Sequence, residues 1–420
     1  MHQPVGRPPV PRIPRLIKRN TALFALSQSF TGAGMQFAYG LGPLMVIALT
    51  GSATLAGLSV GLIGLGRFAV AYPIGKITDA YGRKPGILLG LILAMAGALV
   101  VSLSMEVRSL AVLIGGMLLF AMGMNAAQQL RVAATDMFPP QMRAQALGYV
   151  ALGALLGLVI SPLAIGGAEV FADRLGQDPL GLPWLLLPIL IVPGMVLVAF
   201  VRPDPKEIGL NLERYYPDYV PPSRSPAGPR ASFSVGSLLR RRPTRLAIVS
   251  NGAAQGNMSI IMVLTSLVLA HHGHSLGMIA VSHVFHTVGM FAFTIPLGKL
   301  ADRFGRARVM LPGVATTLVG AGFVTFTTGY AWVTFGTFLV GIGWAAANVA
   351  ATALIADHAE TAERGRAIGV ADSFAGAVTV FTAVVTGPLI EWGGLPAAGL
   401  TAVFLAAVPL LMLPRFRMGR

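Results

Sequence analysis

The 420-residue chain contains no cysteine, so disulfides and thiolate metal sites are excluded, and any soft-metal chemistry must rest on methionine and histidine. It is also short of charge: 11% of residues are Asp, Glu, Lys or Arg, against about 25% in an ordinary soluble chain. Acidic residues are the scarcer sign, 16 against 31 basic ones. A chain that is 55% hydrophobic, with mean hydropathy +0.72, cannot solvate its own surface in water, and lipid is the solvent that fits. Catalytic constellations are missing too. There is no paired carboxylate at mid-span, no nucleophile beside a base and no G-x-x-x-x-G-K-[ST] phosphate loop, so neither enzymatic chemistry nor ATP-driven work is expected.

What the chain does have is long apolar runs. A span needs about twenty mostly apolar residues. Twelve stretches qualify: 21–48, 54–77, 86–106, 109–131, 145–171, 181–201, 246–270, 276–298, 308–329, 331–355, 367–390 and 394–414. In lipid each backbone polar group must be satisfied within its own structure, and these runs are too long for barrel strands. The expectation is an all-α membrane protein of twelve transmembrane helices in two six-helix halves. Residues 1–20 read as a basic cytoplasmic tail (Arg7, Arg12, Arg15, Lys18, Arg19) and 21–202 as the first half. A polar, proline-rich cytoplasmic linker covers 203–244 and the second half 245–420. The apolar run after the tail is too long for the hydrophobic core of a signal peptide and reads as the first span.

With the N-terminus inside, 28 of the 31 Lys and Arg fall on one side of the membrane, two (Arg108, Arg174) on the other, and Arg67 within a span. That asymmetry is the positive-inside pattern, with both termini cytoplasmic and a bacterial inner membrane as the expected location. It accounts for the net charge of +15 without nucleic acid, so the bilayer is the expected partner.

The chain repeats itself. Gly75-Lys-Ile-Thr-Asp79-Ala-Tyr-Gly82-Arg83 recurs in the second half as Gly298-Lys-Leu-Ala-Asp302-Arg-Phe-Gly305-Arg306. Asp136, Arg143 and Gly148 recur at nearly the same offset as Asp357, Arg364 and Gly369, and Gly181-Leu-Pro recurs as Gly394-Leu-Pro. Internal repeats of this kind belong to transporter folds, with substrate near mid-membrane between the repeats. The doubled G-x-x-x-D-x-x-G-R pattern resembles the loop signature of the major facilitator superfamily, over nearly the whole chain. The glycines are expected to allow close helix approach. The resemblance implies alternating access, with Gly75, Asp79, Gly82, Arg83, Asp302 and Arg306 as gating residues at the cytoplasmic face.

Five of the seven histidines fall between 271 and 286. His271, His272 and His274 form a loop between the seventh and eighth spans, and His283 and His286 lie within the eighth. Met258 and Met262 share one face of the seventh span by their i, i+4 spacing, and His286 and Met290 share one face of the eighth. Counted from the turn near residue 273 at about 1.5 Å per residue, both pairs lie at matching depth, close to mid-membrane. Thioether and imidazole without carboxylate suit Cu(I) better than hard cations. The paired Met-x-x-x-Met and His-x-x-x-Met resemble the CcoA-type copper importers of that superfamily. This resemblance implies copper as the transported substrate rather than a cofactor, bound by Met258, Met262, His286 and Met290. It implies copper chaperones of the cytoplasm or periplasm as partners and supply of cytochrome oxidase assembly as the role. One departure stands out: cysteines are implicated in that branch, and this chain has none.

His271, His272, His274, His283 and Met35 are auxiliary candidates, Met35 because it aligns with Met258 across the repeat. Met290 aligns with Arg67. An isolated cation within a span is costly and marks a cavity or a partner, here an anionic substrate or a carboxylate such as Asp372. The alternative cargo is therefore a small organic molecule, flavin-like or drug-like, for which the Met and His positions are ordinary cavity lining. A metal sensor or assembly factor is a further alternative, disfavoured by the complete pair of loop motifs.

Overall fold

A computed structural model describes residues 12–139, 142–217, 219, 234–358 and 364–412. Among these the chain is helical, with one short 3-10 turn at Ala53–Leu55 and no strand. The first half comprises α1 (Arg15–Thr31), α2 (Ala33–Thr50), α3 (Leu58–Tyr81), α4 (Arg83–Glu106), α5 (Leu110–Ala127), α6 (Gln129–Asp136), α7 (Arg143–Leu175) and α8 (Leu182–Ala199). The connector carries α9 (Pro205–Leu210), α10 (Leu212–Tyr215) and α11 (Val235–Arg240). The second half comprises α12 (Arg242–His271), α13 (Leu276–Ala292), α14 (Thr294–Phe304), α15 (Arg306–Phe326), α16 (Tyr330–His358) and α17 (Arg364–Leu411).

Eleven helical stretches are long and apolar enough to cross a membrane. The twelfth is contained in α17, whose backbone leaves helical geometry at Gly393 and at Gly394, where φ is +71°. The 48-residue helix is thus two passes joined at a glycine pair, which agrees with twelve spans. The first span is two helices meeting at Gly32, and α1 starts at Arg15, so Arg15, Lys18 and Arg19 are helical.

Each half has its own core. In the first, Trp184 of α8 is fully buried and receives Phe37 and Phe120 edge-on, at 6.1 and 5.0 Å between ring centroids. Small residues bring helices together where lipid offers no hydrophobic drive. A Cβ on Gly97 of α4 would lie 2.3 Å from the Phe120 backbone, and one on Gly320 of α15, its equivalent in the repeat, 2.6 Å from that of Gly336. In the second half α12 is wrapped by its neighbours almost throughout, packing mainly on α16 and α17.

The two halves meet through α7 on α13, α2 on α12 and α13, and α3 with its preceding turn on α17. These contacts favour the end opposite the G-x-x-x-D-x-x-G-R loops, called here the lightly charged end; the other is the basic end.

Candidate functional site

The repeated loop motifs terminate helices. Gly82 and Gly305 stand at the ends of α3 and α14 with φ of +102° and +101°, a region where a side chain is strained, so glycine is required at both. Gly82 is doubly constrained. Asp204 caps α4 by accepting from the Arg83 and Lys84 backbone N–H groups, each at 3.0 Å, and a Cβ on Gly82 would lie 2.8 Å from that carboxylate. Close helix approach, expected of the motif glycines, does not hold at the other end of the motif. A Cβ on Gly75 would meet nothing within 4 Å, and one on Gly298 only the Val349 side chain at 3.7 Å. Arg83 Nε donates to Asp136 at 2.7 Å and Arg306 Nε to Asp357 at 3.2 Å, each within one half. The side chains of Asp79 and Asp302 lie outside the described residues.

The two mid-membrane histidines have different fates. His283 is fully buried and engaged at both nitrogens: Nδ1–H donates to the Ile279 carbonyl at 3.0 Å, and Nε2 lies 3.3 Å from the Ser266 hydroxyl on α12. His286 donates Nδ1–H to the Thr337 carbonyl of α16 at 2.9 Å, which leaves the lone pair on Nε2, and that atom is buried without a partner. Gln36 of α2 presents a second orphan acceptor, Oε1, while its amide nitrogen donates to Thr287 Oγ1 across the halves. Ser266 Oγ also lies 3.4 Å from the Tyr39 carbonyl, so a buried polar seam joins α2, α12 and α13.

Met258 and Met262 are buried, and Met290 is half-buried. Among the described residues the first two belong to none of the apolar clusters, whereas Met35 packs on the core of the first half. The loop histidines do not converge. His272 Nδ1–H donates to the Val268 carbonyl at 2.8 Å, His271 meets the His272 ring edge-on, and His274 leans on Tyr330 at 5.4 Å. No group of three or more His, Asp or Glu suited to a metal ion exists among the described residues.

Arg67 of α3 is exposed, as is Asp372 of α17. Its charge acts on Asp372, on Tyr39 of α2 and on Arg131 of α6. The groups that feel this charge lie on α2, α6 and α17, in both halves. Arg131 joins the site unannounced, since by sequence it reads as loop charge. It is half-buried, and its guanidinium lies 5.5 Å from the centre of the Phe291 ring on α13. Between the halves the structure thus shows a cation of the first half against an aromatic ring of the second, and two orphan acceptors in the seam.

A sequence profile described as the Major Facilitator Superfamily matches residues 24–281 and 246–418. The chain belongs to this superfamily. Among relatives, it is 27% identical to the uncharacterized MFS-type transporter YdeG of Bacillus subtilis over 85% of this chain and 82% of that one. It is 25% identical to the riboflavin transporter RfnT of Brucella anthropi over 94% and 96%. The crystal structure of a D-xylose-proton symporter superposes with TM-score 0.68 at 14% identity, covering 94% of this chain and 97% of that one, and supports the fold alone. The protein is accordingly a multi-pass secondary transporter of the superfamily, not an enzyme.

Proposed function

We propose that the protein carries a small organic molecule of the flavin type across the bacterial inner membrane by alternating access. In this reading both termini are cytoplasmic and the basic end faces the cytoplasm. The observation that carries the proposal is the Arg131 guanidinium of the first half lying 5.5 Å from the Phe291 ring of the second, with the Arg67 charge felt by Arg131 and by Asp372. Guanidinium groups accept planar, electron-rich or anionic ligands through hydrogen bonds and stacking. The buried acceptors His286 Nε2 and Gln36 Oε1 need donors, which a polyhydroxylated ligand supplies. The near full-length likeness to RfnT supports the same class of cargo.

A second reading, copper, rests on a specific observation. His286 Nε2 offers a buried lone pair, and Met258 and Met262 are buried on α12, which packs on α13. Uptake distinguishes the two. Cells producing the wild type, Arg67→Ala or His286→Ala at equal membrane abundance are given labelled riboflavin or labelled copper. The flavin reading expects riboflavin uptake that Arg67→Ala lowers at least about tenfold, consistent with the loss of a charged hydrogen bond. Copper uptake abolished by His286→Ala, with no riboflavin uptake, would replace it by the copper reading.

A further inference from the structure

The second span of each half begins with a serine cap. Ser52 accepts from the Thr54 backbone N–H and Ser275 from that of Met278, each at 3.2 Å, and the two serines are equivalent in the repeat. Each start also receives a carboxylate from the other half. Glu169, on α7 of the first half, accepts from the Leu276 and Gly277 backbone N–H groups of the second half at 3.0 and 3.1 Å. Glu391, on α17 of the second half, accepts from the Thr54 hydroxyl of the first. The two glutamates lie one position out of register: the repeat offset that takes Gly166 to Gly387 takes Glu169 to Ile390, beside Glu391. A pair of glycines that is in register with the repeat, Gly166 and Gly387, supports the two contacts. Gly166 lies against Gly277, where a Cβ would come 3.5 Å from its Cα, and a Cβ on Gly387 would fall 1.5 Å from the Thr54 carbonyl.

We propose that Glu169 and Glu391 are a pair of latches, one from each half, that hold the halves together at the lightly charged end, and that releasing both is the step that opens that end to cargo. Each serine already caps its own turn, so the carboxylates are not needed to form the helix starts. What they add is a bond between halves. The contacts suit a reversible latch. A carboxylate on first-turn N–H groups is favoured by charge and by the helix dipole, yet both sides regain water when the halves part, so separation leaves no buried unpaired group. The latches are unequal. Glu169 is half-buried and holds two backbone donors, whereas Glu391 is exposed and holds one hydroxyl. The proposal is independent of the cargo, so it stands or falls apart from the flavin reading.

The absence of cysteine makes the test direct. Spin labels on Leu175→Cys of the first half and Thr328→Cys of the second, both at the lightly charged end, report the separation of the halves by pulsed electron resonance in lipid nanodiscs. The wild type is expected to show a dominant short distance. Glu169→Ala should raise the long-to-short ratio about tenfold, as loss of a charge-assisted hydrogen bond implies, Glu391→Ala should raise it less, and the pair together more than either. Thr54→Val should reproduce Glu391→Ala and add nothing to it, since both remove one bond. Glu169→Gln, which keeps side-chain volume and an acceptor, should shift the ratio less than Glu169→Ala and carries the test if the alanine variant does not fold. Distance distributions that match the wild type in Glu169→Gln, Thr54→Val and the double alanine variant would overturn the latches.

Discussion

The two ends of the molecule are held by different bonds. At the basic end Arg83 bonds Asp136 and Arg306 bonds Asp357, each pair inside one half, and Asp204 ties the connector to the start of α4. At the lightly charged end Glu169 reaches from the first half to α13, and Glu391 from the second half to the turn before α3. Bonds within a half keep it rigid through any rocking motion. Bonds between halves must break for that end to open. The structure joins the halves at the lightly charged end, and under the latch proposal these contacts break while the bonds within each half stay.

The largest expected effect comes from preventing closure. A Cβ on Gly57 would fall 1.7 Å from the Ala383 carbonyl across the interface, so Gly57→Leu should hold the lightly charged end apart. Overpacking of this kind costs about 1–3 kcal/mol, enough to lower uptake about tenfold or more at equal abundance. Gly75→Leu at the basic end is the contrast. Its Cβ meets nothing within 4 Å, so the thermal stability of this state should change by less than about 0.5 kcal/mol. Equal uptake by Gly57→Leu and the wild type would erase the distinction between the ends.

A middle-sized effect tests the rigid, within-half bonds. Gly82→Val and Gly305→Val both place a branched side chain at positive φ, at a cost of about 1–3 kcal/mol. Gly82→Val should be the worse, because the Asp204 carboxylate sits 2.8 Å from its Cβ position while Gly305 has open space. Thermal unfolding followed by tryptophan fluorescence checks the order. The smallest effect is expected from Arg83→Ala and Arg306→Ala, each under about 1 kcal/mol as for partly exposed ion pairs. Arg83→Ala should cost more, since the side chains of its pair are 18% and 22% exposed against 25% and 52% for Arg306 and Asp357.

The architecture was legible because lipid leaves a chain few choices. Apolar run length gave the spans, and the non-helical pair Gly393-Gly394 falls at the boundary expected between 367–390 and 394–414, Gly393 in the gap and Gly394 at the start of the last span. The motif glycines at 82 and 305 were legible as special, but their reason, positive φ at a helix end, was not. The site was less readable because its chemistry depends on partners distant in sequence. His283 and His286 are three residues apart on one helix, and the unpaired nitrogen of His286 follows from the Thr337 carbonyl 51 residues away. Arg131 looked like loop charge until α6 carried it back against Phe291. Neither glutamate latch was visible, since Glu169 meets its donors 107 and 108 residues on and Glu391 meets Thr54 337 residues back.

The most direct test of the proposed cargo is riboflavin binding to purified protein, followed by quenching of flavin fluorescence, for the wild type and Arg67→Ala. A flavin held at Arg67 predicts saturable binding by the wild type that weakens at least about tenfold in Arg67→Ala, as loss of a charged hydrogen bond implies. No saturable binding, or equal affinity in the two proteins, would contradict a flavin-type cargo held at Arg67.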